Sequence, residues 1–141
     1  MKYCCKNIDH LLASRRQITE AKSAQERYLA LMSLGRMIPV APLERFTPQA
    51  RVQGCQSLMC INLGVDDTGV SFEIYSDALI SLGLAALVIL EWTGLSPERI
   101  LSHTGPNLTE LGLMHELTPG RLNGFEALRR TIKLKLLQEY C

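Results

Sequence analysis

The sequence predicts an α+β domain with a small antiparallel three-stranded sheet and helices packed on one of its faces. Apolar residues recur at helical spacing near both ends of the chain: Tyr28, Leu31 and Leu34, then Leu122, Phe125, Leu128, Ile132 and Leu136. Between them, Val70, Phe72 and Ile74 alternate with Ser71, Glu73 and Tyr75 behind the turn sequence Asp66-Asp67-Thr68-Gly69. Pro39, Pro42 and Pro48 separate the early helical stretch from the strands, because proline lacks the N–H a continuing helix needs.

In chain order, residues 5–20 are expected to form a helix with Ile8, Leu11, Leu12 and Ile18 roughly on one side. Ser23-Ala24-Gln25-Glu26 has the capping-box spacing, and a second helix should run from it as far as Gly35. The prolines then mark an extended loop. Residues 49–53 are expected to supply one strand, 58–63 (LMCINL) the second and 70–75 the third, the last two forming a hairpin with one face on the core. Ser76 or Asp77 can cap an apolar helix reaching about Trp92, and Ser96-Pro97-Glu98 orders a cap, a first-turn proline and an early acid to start another. A short helix around 107–115 is expected, and Thr118-Pro119 repeats the cap-proline start ahead of the final apolar stripe.

The chain has 141 residues, of which 47% are hydrophobic, enough for one core and too few for two, so residues 1–141 are expected to form one domain. A formal net charge of +1 argues against a nucleic-acid surface or a membrane-binding patch. Arg129, Arg130, Lys133 and Lys135 cluster late and read as a solvated helix face. The most apolar window, Ala78 to Leu90, falls short of the roughly 20 residues a bilayer requires and reads as a buried helix. With no secretory signal pattern at the N-terminus, the expected setting is a reducing cytoplasm, where the five cysteines stay as thiols.

Cys55 stands out among those five. As an inert core residue it would be ordinary, since free cysteine is often buried. Yet Gly54 and the polar Gln53, Gln56 and Ser57 describe a turn that would present a side chain near the surface. Glycine at 54 would also let another active site approach the backbone closely. No His, Lys or Arg lies within three residues of Cys55, and Arg51 is the nearest charge along the chain. An unassisted thiol is only slightly ionised at neutral pH, which argues against a hydrolase nucleophile and suits a thiol that accepts a group from a partner.

Cys55 and Cys60, four residues apart with His103 or His115 to complete a set, make a weak metal motif beside the usual Cys-x-x-Cys. No metal site is expected. Cys60, inside an apolar strand, reads as a small core hydrophobe. Cys4, Cys5 and Cys141 at the chain ends read as incidental, and His10, His103 and His115 as ordinary loop or surface residues.

Four segments, RYLALMSLGRMIP, RVQGCQS, SDALISLGLAALV and LTPGRLNGFEALRRTIK, make the chain from about Tyr28 to Leu137 resemble the SufE-type cysteine desulfuration proteins. The resemblance implies an α+β fold like that of the iron–sulfur scaffold proteins, with the reactive cysteine on a loop at one end of the sheet. It implies that Cys55 takes persulfide sulfur from a pyridoxal-phosphate-dependent cysteine desulfurase, stimulates that enzyme and passes the sulfur to the cluster-assembly scaffold. The chain itself would then hold no cofactor and be an accessory protein, not an enzyme. Gly54, Gln56, Ser57, Asp77 and Arg121 are the matched positions expected to meet the partner.

Arg121, ahead of the last helix, would pair with a partner carboxylate or stabilise a developing sulfur anion, against the plain reading of a solvent-exposed first-turn arginine. Asp77 is explained equally by helix capping. Two positions depart from the pattern. Cys60 stands where the family usually carries tryptophan, which implies either a repacked core or a thiol able to resolve an oxidised Cys55. Leu82 replaces a frequent lysine. The competing functions are an iron–sulfur or metal-binding scaffold using Cys55 and Cys60, and a regulator that stimulates a desulfurase through its surface alone.

Overall fold

The computed structural model describes residues 9–140. In chain order it contains α1 (Asp9–Glu20), α2 (Ala24–Met37), two single turns of 3-10 helix (Leu43–Arg45 and Pro48–Ala50), β1 (Met59–Asp66), β2 (Gly69–Ser76), α3 (Leu79–Trp92), α4 (Pro97–Leu101) and α5 (Pro119–Tyr140). No helix among the described residues is long and apolar enough to cross a membrane. The part of the first helix expected before Asp9 lies outside the described residues, as do Cys4, Cys5 and Cys141.

Helix α3 is the axis of the molecule. Twelve of its 14 residues are buried, as expected of a helix that is apolar all round. Helix α2 crosses it at two glycines: a Cβ on Gly83 would lie 2.4 Å from the Leu31 carbonyl oxygen, and one on Gly35 would lie 2.6 Å from that of Leu79. The α2 start is capped as the sequence predicts, with Ser23 Oγ accepting from the Glu26 N–H at 3.1 Å. The Glu26 carboxylate, however, reaches the Lys22 N–H at 2.9 Å, one residue before the cap.

Among the described residues the sheet has two strands, not three. β1 and β2 pair antiparallel from Met59↔Ser76 to Asp66↔Gly69. Residues 49–53 contribute a single bridge, Arg51↔Cys60, fastened by the Val52 N–H to the Met59 carbonyl at 2.8 Å. Pro48 opens a 3-10 turn that ends at Ala50, and Gln53 already belongs to the turn in which Gly54 adopts φ +88°, so of the three residues between Ala50 and Gly54 only Arg51 and Val52 are free to extend. A ladder needs more.

Period-two alternation sorts the hairpin. Met59, Ile61 and Leu63 with Phe72, Ile74 and Ser76 face the helices, whereas Cys60, Asn62, Glu73 and Tyr75 take the opposite face. That second face is not open to water at Glu73, which is 1% exposed and bound by Arg45 at 2.9 Å from the 3-10 turn above it. The far end of the hairpin is held by the turn after α3, where Gly94 N–H donates to the Val70 carbonyl and Val70 N–H to that of Leu95.

Two helical expectations change. The stretch around 107–115 is a series of turns. Asn107 Oδ1 accepts from the Thr109 and Glu110 N–H groups, but Gly112 at φ +74° ends the turn at once, with Leu113 N–H bonded to the Leu108 carbonyl and Gly112 N–H to that of Thr109. These two bonds are a Schellman closure one turn after the start. On α5, Lys133 and Arg129 are more than a solvated face: Lys133 Nζ donates to the His103 carbonyl at 2.7 Å, and Arg129 stacks over Phe125.

Candidate functional site

Loop 53–58 lies between the Arg51↔Cys60 bridge and the start of β1, and it rests on α3 and α5. Gly54 is required for its backbone conformation. Its φ of +88° suits the third position of a type II turn, while a Cβ there would meet Ala127 at an ordinary 3.5 Å. The turn folds Cys55 inward, so the residue is half-buried rather than presented at the surface.

The sulfur settles where α5 has no side chain. A Cβ on Gly124 would stand 3.0 Å from Cys55 Sγ. One turn earlier, Gln56 lies over Gly120, where a Cβ would collide with its Oε1 at 2.0 Å. The pocket around the sulfur has room for about 10 Å³, lined by Met59, Ser81, Leu84, Phe125 and Leu128 among others. None of its lining residues is His, Lys, Asp or Glu. A space of that size holds at most about one water.

Three hydroxyl or cationic groups line up from the sulfur. Ser57 Oγ lies 3.4 Å from Cys55 Sγ, Ser57 Oγ and Ser81 Oγ are 2.7 Å apart, and Arg121 Nη1 donates to Ser81 Oγ at 2.8 Å. Arg121 is placed by the Thr118 cap, whose Oγ1 accepts the Arg121 N–H at 3.2 Å. It is half-buried and aimed back toward α3, not spread on the surface of the first turn.

Asp77 does not cap α3, whose start at Ala78 has no side-chain cap. Its Oδ1 accepts the Leu58 N–H at 3.1 Å, and its own N–H donates to the Leu58 carbonyl at 3.2 Å. It therefore pins the C-terminal foot of the cysteine loop to the end of β2. Cys55, Gln56, Ser57 and Arg121 thus meet at one site, Gly54 shapes it, and Asp77 anchors it from outside. Sequence reasoning missed Ser81, Gly120 and Gly124. Ser81 had a visible signal, as the one polar side chain in the apolar run from Ala78 to Leu90.

Cys60 is buried, 4% exposed, on the sheet face turned away from the helices, whereas Cys55 packs on the helix side beside Met59. It fills neither the helix-facing core nor the space beneath the loop. Burial raises its pKa above the ordinary thiol value, only partly countered by the nearby Arg51 charge. The folded state thus holds the Cys60 proton more tightly than the unfolded chain. Its stabilisation is intact below the free-thiol pKa and lost as pH rises through the buried one.

After mild oxidation, peptide mass spectrometry is expected to show no 55–60 bridge. At pH 8, iodoacetamide should label Cys55 well before Cys60. A 55–60 disulfide in the folded protein would contradict the opposite-face placement.

Among the described residues no three His, Cys, Asp or Glu side chains cluster so as to hold a metal ion. His103 is committed elsewhere, its Nδ1 accepting from Trp92 Nε1 at 3.2 Å and the Gly105 N–H at 2.9 Å. His10 and His115 are exposed.

Among solved structures, the fold is similar to the solution structure of a hypothetical protein from Thermus thermophilus. The TM-score is 0.71 and the identity 22%, over 91% of this chain and 93% of that one. At that identity the likeness speaks for the fold. The family model described as "SufE: Fe-S metabolism associated domain" matches residues 13–136, a span that includes the whole cysteine loop, α3 and all but the last turn of α5. The chain therefore belongs to the SufE family, whose general role is sulfur transfer in iron–sulfur metabolism.

Proposed function

We propose that Cys55 is the sulfur acceptor: it takes persulfide sulfur from a pyridoxal-phosphate-dependent cysteine desulfurase and passes it to an iron–sulfur cluster scaffold. The observation that carries this is the setting of the sulfur, half-buried against Gly124 with hydroxyl support and no acid–base residue in its lining. Such a thiol can be held ready but has no base with which to run hydrolytic chemistry.

In the transfer, the Cys55 thiolate attacks the outer sulfur of the desulfurase persulfide. A new S–S bond forms on Cys55, the old one breaks, and the desulfurase cysteine leaves as thiolate. Cys55 gives up one proton, the leaving sulfur can take one, and no net oxidant is consumed. Holding the two sulfurs together supplies much of the rate, so the docked interface acts as part of the catalyst. The pyridoxal phosphate belongs to the partner. Gly54, Gln56, Ser57 and Arg121 surround the sulfur and are the residues a docked desulfurase would meet, with Asp77 at the loop's foot. Closure of the loop in the free protein would limit oxidation and stray sulfur loss, and the setting is a reducing cytoplasm.

Incubation with a cysteine desulfurase and cysteine is expected to place a persulfide on the Cys55 peptide of the wild-type protein and none there in Cys55→Ser. Stimulation of the desulfurase should be lost with it. Stimulation that survives Cys55→Ser would overturn the acceptor reading in favour of a surface regulator.

A further inference from the structure

The geometry points to Ser81 as a positioning residue that sets the reactivity of Cys55 through Ser57, a role that rests on the acceptor reading above. Ser81 is 2% exposed in the first turn of an apolar helix. A buried hydroxyl in such a place is costly unless it is hydrogen-bonded. Its partners lie on two other elements: Ser57 on the cysteine loop at 2.7 Å and Arg121 on α5 at 2.8 Å.

The chemistry of the end group fixes the first donor and permits one order for the rest. A guanidinium only donates, so the contact with Arg121 occupies a lone pair of Ser81 Oγ and leaves the Ser81 proton free. Directed at Ser57 Oγ, that proton in turn frees the Ser57 proton for Cys55 Sγ, 3.4 Å away. The three bonds then run one way, from cation to sulfur, and each donor is polarised by the one behind it. A hydrogen bond donated to sulfur favours the ionised form, which is the form that attacks. Arg121 thus reaches the sulfur through two hydroxyls.

The other groups packed on Cys55 carry no charge: α3 offers Ser81 and Leu84, β1 offers Met59, and α5 offers Gly124, Phe125 and Leu128 besides Arg121. Ahead of the loop, Arg51 is exposed and forms the isolated bridge to Cys60. Among the described residues Arg121 is therefore the one charge lining the pocket, and Ser81 is the group that hands its influence on.

The test is the pH profile of Cys55 alkylation by iodoacetamide in the full-length protein, read at the Cys55 peptide by mass spectrometry. In Ser81→Ala the midpoint is expected to rise by about 0.5–1 pH unit, the scale of one lost hydrogen bond. Ser57→Ala should shift it at least as far. The double variant should match Ser57→Ala alone, because Ser81 acts through Ser57. An unmoved midpoint in Ser81→Ala, or additive shifts in the double variant, would overturn the relay. Ser57 lies in the loop and its variant tests the same bond without touching the core. If the midpoints shift as expected while wild-type Cys55 takes no persulfide from a desulfurase, the relay stands and the acceptor reading is the one that falls.

Discussion

Gly83→Ala is expected to cost about 2 kcal/mol or more of stability, net of everything that favours it. Alanine at an ordinary helix interior position gains about 1 kcal/mol over glycine, so propensity alone predicts a more stable protein. The crossing with α2 reverses the sign. The new Cβ would lie 2.4 Å from the Leu31 carbonyl oxygen and 3.1 Å from its carbon, both backbone atoms of a packed helix. A backbone oxygen cannot rotate away as a side-chain tip does, so the helices must separate. Separation loosens Leu31, Leu34 and the α3 residues facing them together, since close-packed interiors transmit such shifts. Thermal unfolding should register a drop of about 6–10 °C, given the usual scaling for a chain of this size. An exposed α5 substitution, Asn123→Ala, should leave the midpoint unchanged or slightly raised. A stabilised Gly83→Ala would refute the close crossing.

Gly124→Ala acts on reactivity rather than on the fold. Its Cβ would stand 3.0 Å from Cys55 Sγ, closer than the roughly 3.5–4.0 Å at which non-bonded atoms attract. Here the yielding partner is a loop, so the strain is relieved by lifting Cys55 off α5. Overpacking of about 1.4 kcal/mol would raise the population of the lifted loop about ten-fold. Iodoacetamide should therefore label Cys55 about ten-fold faster in Gly124→Ala, while the unfolding midpoint changes little, because the helix propensity of alanine, worth about 1 kcal/mol over glycine, offsets most of the strain. Equal labelling rates would show that the sulfur does not rest in the glycine gap.

Much of the frame was legible because its signals are local. Ser23, Ser96 and Thr118 each accept a hydrogen bond at the start of the helix they were expected to cap. The hairpin turn at Asp66-Asp67-Thr68-Gly69 and the stripe from Phe125 to Leu136 follow from period and turn chemistry. The errors arose where two signals compete over a few residues. The third strand was lost because Pro48 and Gly54 crowd the segment from both sides. The helix near 107–115 was lost because Gly112 ends it after one turn. Asp77 reads as a cap by sequence neighbourhood, yet its carboxylate turns to Leu58, 19 residues earlier. The site itself was half visible. Cys55 announced itself by its polar turn, but nothing in the order of residues places Gly124 against its sulfur or Ser81 behind Ser57. Those are long-range contacts that exist only once α3 and α5 are packed.

The foot of the cysteine loop is clamped twice, by Val52 to Met59 and by Asp77 to Leu58, while the tip is tied to the helices through side chains. Such a design separates two energy scales. Lifting the tip breaks a few side-chain contacts, whereas moving its feet would unzip the hairpin. The tip can therefore sample an open form at a small fraction of the free energy of unfolding, with its hinges fixed in register. A partner that binds only the open form sees its apparent affinity reduced by the closed fraction, and regains it by supplying contacts that the closed form cannot offer. On the acceptor reading, sulfur uptake would be metered by a local equilibrium whose set point lies in the surface between the loop and α5, independent of the stability of the domain.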